Sequence, residues 1–274
     1  PVDQATLTRR YTEEAVSFIR AHQADPFFVY LPHSMVHLPL AASADFLGKS
    51  GQGVLGDAIE ELDWSVGQIL QTLQELKLDE KTLVIFTSDN GAAVGSSAPY
   101  RGKKATNFEG GVREPCIMRW PGQIPAGTTC DKIAGNIDMV PTFAKLVGAE
   151  LPRDRVLDGR DITAMMFHPH APAARDTHLY FTANQTLAAI RQGDWKLFLP
   201  EAKTAGNAKN ANAKKKNAAP VGPELYNLAT DPVEAHDVSA DHPEIVSRLK
   251  AEAARREAEI RDHRRPIGQL TSHN

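Results

Sequence analysis

A chain of 274 residues is long enough for one large domain or two smaller ones with a sizeable core. Its 42% hydrophobic and 24% charged content is ordinary for a globular protein, and a net charge of -3 gives no global bias towards nucleic acid or acidic membranes. The longest apolar runs, such as Phe27 to Leu31, are too short to span a bilayer. The opening Pro1-Val2-Asp3-Gln4 has no signal-peptide pattern and reads as the start of a mature product or a fragment.

Residues 7–23 read as an amphipathic helix with Leu7, Tyr11, Ala15, Phe18 and Ile19 on one face, ended by Asp25-Pro26. Phe27-Phe28-Val29-Tyr30-Leu31 reads as a core strand, followed by a long polar loop carrying His33 and His37. Residues 56–78 form the clearest helix. Its apolar stripe is Ile59, Leu62, Val66, Ile69, Leu70, Leu73 and Leu76, and Asp57, Glu60, Glu61 and Asp63 suit its N-terminal end. The run Thr82 to Ser88 reads as a buried strand directly after it, so the alternation predicts an α/β layer with a parallel sheet. Cys116 to Trp120 is a further strand, and Met139 to Val147 a short helix stopped by Gly148. Cys116 and Cys130 are expected to be two buried thiols, with a disulfide as the alternative.

The character changes after about residue 175, which divides the chain into an α/β domain over residues 1–175 and a small α+β subdomain over residues 176–274. Short strands at 179–181, 187–191, 195–198 and 225–226 predict an antiparallel sheet, with Gly193-Asp194 as a hairpin turn. Residues 203–220, rich in Ala, Asn and Lys, read as a mobile solvated insertion, with contact to an anionic glycan as the alternative. A final helix over 243–262, opened by Pro243, has a thin apolar face of Ile245, Leu249 and Ile260 suited to packing on the small sheet.

Chemistry concentrates in the loops that follow strands. Asp89 and Asn90 close the 82–88 strand with oxygen donors only, which suits Ca²⁺ or Mg²⁺ better than Zn²⁺, although two protein ligands are too few for either ion. Lys104 lies in a glycine-flanked loop beyond, and His37 in the loop after residue 31. A lysine and a histidine can hold the oxygens of a tetrahedral oxyanion, and a histidine can pass a proton to a reacting oxygen. Singly, each has a bland reading: Asp-Asn-Gly is ordinary turn chemistry, Lys103-Lys104 a solvated pair, and Gly110-Gly111 backbone geometry.

The run Ser88-Asp89-Asn90-Gly91 through Arg101-Gly102-Lys103-Lys104-Ala105-Thr106-Asn107-Phe108-Glu109-Gly110-Gly111-Val112-Arg113-Glu114-Pro115 resembles the type I, arylsulfatase A-like sulfatases. The resemblance extends to His37-Leu38-Pro39, Glu60-Glu61-Leu62-Asp63, Asn136-Ile137-Asp138, Trp195-Lys196-Leu197 and Glu224-Leu225-Tyr226-Asn227-Leu228, and so covers nearly the whole chain. It implies an alkaline-phosphatase-like α/β sheet flanked by helices, incomplete here, plus a small C-terminal antiparallel sheet with a helix. It implies a hydrolase of sulfate esters, acting on a sulfated glycan or aryl sulfate. Asp89 and Asn90 would bind a divalent cation, Ca²⁺ with Mg²⁺ possible. Lys104 rather than Lys103 would contact sulfate, since Lys103 falls where the family has a glycine, and His37 rather than His33 would be the sulfate-side histidine. A periplasmic or secreted location is implied in the same way.

One element of the pattern is missing. The family's nucleophile is a formylglycine made from the first residue of a Cys/Ser-x-Pro-x-Arg motif near the N-terminus, beside two further metal-binding aspartates. Neither Cys116 nor Cys130 fits it. Ser97-Ala98-Pro99-Tyr100-Arg101 fits by pattern but follows the metal pair, where the family has a variable loop, and reads as a decoy. The expectation is the C-terminal portion of such an enzyme, inactive or nearly so alone. A phosphodiesterase or phosphonate hydrolase of the same architecture, and a non-catalytic sulfated-glycan binder, are the alternatives.

Overall fold

A computed structural model describes residues 2–200 and 222–265. Its elements are α1 (Leu7–Ala21), α2 (Gly53–Glu75), β1 (Val84–Thr87), the single turn α3 (Glu109–Val112), β2 (Cys116–Arg119), α4 (Met139–Val147), α5 (Thr163–Phe167), β3 (Thr177–Phe181), β4 (Leu187–Gln192), β5 (Trp195–Phe198), β6 (Glu224–Asn227) and α6 (Pro243–His263). The predicted insertion 203–220 lies outside the described residues. Two compact units form, Pro1–Phe86 with Ile117–Gly127 and Thr87–Cys116 with Thr128–Asn274. Among the described residues no helix is long and apolar enough to cross a membrane.

In the first unit α1 packs on α2. Leu7, Ala15 and Ile19 of α1 are buried, while Phe18 is 41% exposed. The buried face of α2 is Asp57, Ala58, Glu61, Ser65, Thr72 and Leu73, so it is turned from the predicted stripe, and Ile59 is exposed. Polar contacts explain the turn. Thr12 donates to Ser65 Oγ across the helix pair at 2.6 Å, Glu61 accepts from the Ser43 amide, and Asp57 accepts from the Gly48 and Ser50 amides and the Ser50 hydroxyl. The α2 acids therefore hold the preceding loop instead of capping the helix. Lys77, at φ 58, leaves the helical region and ends α2 three residues earlier than the periodicity predicts.

β1 pairs with β2 in a two-stranded sheet. Arg119 makes a bidentate pair with Asp79, at 2.5 and 2.8 Å, which holds the Asp79 carboxyl below its usual range. Phe27–Leu31 forms no strand and belongs to neither sheet, and Tyr30 is 79% exposed. The predicted core strand is not one, because an extended segment becomes a strand only when a neighbour completes its ladder. Both cysteines are free and exposed, not buried.

The second unit carries the predicted antiparallel sheet, in the order β3-β4-β5-β6. Gly193, at φ 58, takes the first position of the two-residue turn between β4 and β5. Strand alternation sorts the side chains onto two faces. Leu187, Ile190, Leu197 and Leu225 pack with Val246, Leu249 and Ala253 of α6. Tyr180, Ala189, Phe198 and Tyr226 face the other way and pack with Phe108, from the segment preceding α3. α4 ends at Gly148, which is left-handed at φ 70, and Asp138 before it is fully buried, accepting from the Gly135 and Arg160 amides and pairing with Arg175.

Candidate functional site

The Asp89-Asn90-Gly91 turn and the lysine loop are joined through backbone. Gly91 N–H donates to Gly111 O (3.0 Å), Lys104 N–H to Ala92 O (3.1 Å) and Gly110 N–H to Arg101 O (2.7 Å). The approach is too close for side chains. A Cβ on Gly91 would lie 2.1 Å from Gly110 O, and one on Gly111 would lie 2.3 Å from Thr106 O. The glycines of Asp-Asn-Gly and Glu-Gly-Gly are there so that two backbones can touch. Thr106 closes the loop, donating from its hydroxyl to Lys103 O at 2.7 Å.

Lys103 and Lys104 separate in role. Lys103 is exposed, and its Nζ donates to Gly95 O at 2.5 Å. Among the described residues Lys104 Nζ has neither a hydrogen-bond acceptor nor a carboxylate partner. Ala105 sits at φ 69, in the left-handed region where the sulfatase pattern has glycine.

Asp89 is exposed and Asn90 half-buried. Among the described residues no cation or donor engages the Asp89 carboxylate, and the Ser88 hydroxyl donates to the Asn90 carbonyl, leaving the Asn90 side chain uncommitted. Asn136 ties the strand end down, its Nδ2 donating to Ser88 O at 3.1 Å. Burial pushes the Glu114 carboxyl up, and the Asp89 charge adds to the shift. Two uncommitted oxygen donors beside a second carboxyl suit a hard divalent cation. No group of three or more His, Cys, Asp or Glu side chains gathers as a metal site among the described residues.

His37 lies in the first unit, apart in the chain from Asp89, Asn90 and Lys104, which all lie in the second. It is exposed, and its Nδ1 is 2.8 Å from Leu38 O. A carbonyl only accepts, so Nδ1 carries the proton of this contact and Nε2 is the nitrogen left for chemistry. His33 is structural. Its Nε2 meets Ser65 Oγ at 3.3 Å, and burial holds its ring below the usual histidine range.

Ser97, of the Ser97-Ala98-Pro99-Tyr100-Arg101 string, has its hydroxyl placed away from solvent. Its Oγ is buried with no partner, and the Arg101 guanidinium of the same string donates to Tyr226 Oη (3.2 Å) and Glu234 O (2.9 Å).

The feature that motif reading missed lies beneath the loop. Lys196 of β5 is fully buried, with its Nζ donating to Asn107 O (2.7 Å) and Glu109 Oε1 (2.9 Å) and paired with Glu234 Oε1 (2.8 Å). Its ammonium lies 4.4 Å from the Tyr180 ring centroid. Glu234 also accepts from the Glu109 amide at 2.6 Å, and burial pushes its carboxyl up while Lys196 opposes the shift. A signal was present: in Trp195-Lys196-Leu197-Phe198 the lysine falls on the face that Phe198 shares, inside an apolar strand.

Comparison with known proteins shows the family. Residues 3–149, more than half the chain, match the family model described as sulfatase, and residues 173–273 match the C-terminal region of aryl-sulfatase. Human steryl-sulfatase is 46% identical over 204 residues, covering 70% of this chain and 34% of the relative. The N-acetylgalactosamine-6-sulfatase of Canis lupus familiaris is 42% identical over 202 residues, covering 70% and 38%. A crystal structure of a Pseudoalteromonas sulfatase superposes with a TM-score of 0.85 at 26% identity, over 98% of this chain and 56% of that one. The matches cover little more than a third of those two relatives' lengths. On the family match over more than half of its residues, with the same motifs forming one backbone-bonded site, the chain belongs to the sulfatase family.

Proposed function

We propose that this chain carries the sulfate-binding lysine, the histidine and two metal ligands of a sulfuric ester hydrolase. The supporting observation is that Lys104, uncommitted among the described residues, sits on a loop bonded through backbone to the Asp89-Asn90-Gly91 turn. Lys104 would neutralise the sulfuryl oxygens as charge builds on them. His37, through Nε2, would deliver a proton to the oxygen of the leaving alcohol or phenol. Asp89 and Asn90 would hold a divalent cation, Ca²⁺ with Mg²⁺ as the alternative. When bound, that cation supplies electrostatic stabilisation, and a formylglycine, for which neither cysteine here has the motif, supplies the nucleophile. The substrate class is a sulfated carbohydrate or aryl sulfate.

The test presents an aryl sulfate and an aryl phosphate diester to the protein expressed from the full open reading frame that contains this chain. Sulfate release is expected to dominate, and Lys104→Ala to lower kcat/KM by roughly 10²–10³. Asp89→Ala should remove the response to added Ca²⁺. Faster turnover of the phosphate diester would replace the reading with phosphoryl transfer.

A further inference from the structure

We propose that Lys196 is a positioning residue, a buried clamp by which the C-terminal sheet fixes the shape of the Lys104 loop. This inference rests on the reading of Lys104 as a sulfate ligand. The loop's exit is held by one ammonium, since Lys196 Nζ donates both to the Asn107 carbonyl, three residues past Lys104, and to the Glu109 carboxylate. Glu234 closes the circuit. It pairs with Lys196 through one oxygen and accepts from the Glu109 amide with the other. The start of the loop is held from the same side, because Arg101 donates to the Glu234 carbonyl and the Tyr226 hydroxyl and lies 3.9 Å from the Phe108 ring centroid.

The geometry points to positioning beyond ordinary core packing. An ammonium makes directional bonds, so its two acceptors, Asn107 O and Glu109 Oε1, are fixed relative to one another in a way that an apolar contact would not enforce, and the Glu234 carboxylate adds an ion pair. The loop itself has little else to define it. It contains no regular element between Arg101 and Phe108, and Ala105 is held at a φ that an L-residue takes only when its surroundings impose it. Lys196 touches none of the groups read as ligands, so its effect on sulfate must pass through the loop.

The experiment uses the full chain and three variants, Lys196→Met, Lys196→Arg and Leu249→Ala. The last empties the opposite face of the sheet and serves as a control for general loss of stability. Amide hydrogen exchange over residues 101–112 is expected to quicken at least tenfold in Lys196→Met and to a smaller extent in Lys196→Arg, but not in Leu249→Ala. Inorganic sulfate titrated by calorimetry should bind at least tenfold more weakly to both Lys196 variants than to Leu249→Ala. If Lys196→Met does not fold, the Lys196→Arg comparison decides by itself, because its charge is kept and only the bond geometry changes. Unchanged loop exchange in Lys196→Arg, or equal loosening in Leu249→Ala, overturns the clamp. A loosened loop with sulfate affinity unchanged also overturns it. Sulfate binding that survives Lys104→Ala overturns the assignment of Lys104 instead, while the exchange arm still decides whether Lys196 holds the loop.

Discussion

The lysine loop and the histidine segment hold Lys104 and His37 by different means. Around Lys104 the chain is pinned by backbone in contact with backbone, at Gly91, Gly110 and Gly111, and by a fully buried lysine beneath. Around His37 one backbone turn, His37 N–H to Ser34 O at 2.9 Å, is joined by side-chain hydrogen bonds to the helices: Ser65 to His33, the Tyr11 and Ser34 hydroxyls to one another, and Glu61 to the Ser43 amide. The glycines tell the same story. A Cβ on Gly111 would strike Thr106 O, whereas Gly48, Gly51 and Gly53 have open space where a Cβ would go. The lysine loop is built without slack, whereas the chain leading into α2 has room at these three glycines.

The sharpest way to break this contrast is to add one methyl group to each region. Gly111→Ala forces backbone apart and is expected to cost ~3 kcal/mol, with loss of hydrogen-exchange protection across residues 101–112. Gly48→Ala meets nothing and pays only for its left-handed φ of 76, about 1 kcal/mol. Equal losses in urea unfolding would mean that the two regions are not differently packed. Ser65→Ala is next in size. It strips a fully buried hydroxyl from between Thr12 and His33 and should cost about 1–2 kcal/mol. That loss should appear as faster exchange in α1 and α2, with the lysine loop unaffected.

How much of this was legible depended on the distance over which each signal acts. The contact between the Asp89-Asn90-Gly91 turn and the Lys104 loop could be read because strand, turn and loop follow one another within about twenty residues and the glycines mark it. The antiparallel sheet, its hairpin at Gly193 and the packing of α6 were legible for the same local reasons. Lys196 was not, since its partner Glu109 is 87 residues away and nothing in a lysine between Trp195 and Leu197 says which carboxylate it meets. The stripe of α2 was misread because apolar periodicity is silent about a helix face that packs through Ser65, Glu61 and Asp57. Phe27–Leu31 misled because composition reports how well a segment suits a strand, whereas being one requires a neighbour.

Ala105→Gly tests whether the tightness of the lysine loop carries strain. The left-handed conformation at φ 69 costs an alanine about 1–2 kcal/mol, and glycine returns some of that as chain entropy, so a net gain near 0.5 kcal/mol is expected. A drop in the urea midpoint would show that the Ala105 methyl makes packing contacts that outweigh its backbone strain.

The smallest effect concerns pH and belongs to the histidine side. Burial holds His33 below the ordinary histidine pKa of 6.5, and its Nδ1 has no partner among the described residues, so the folded state resists its protonation. Between the folded value and 6.5 the unfolded chain binds more protons than the native one. The slope of stability with pH is therefore positive in that window, and stability is lost as pH falls through it. His178 in the other unit has the same sign, lowered by burial first and by Arg175 next, so global melting mixes the two. Following the His33 ring by NMR separates them: its midpoint should lie below 6.5 and rise towards that value in Ser65→Ala, where the loosened helix pair admits water. A His33 midpoint at or above 6.5 in the unmodified chain would mean that water already reaches the ring beside Ser65, and that the contrast with the lysine loop is greater than side-chain hydrogen bonds alone suggest.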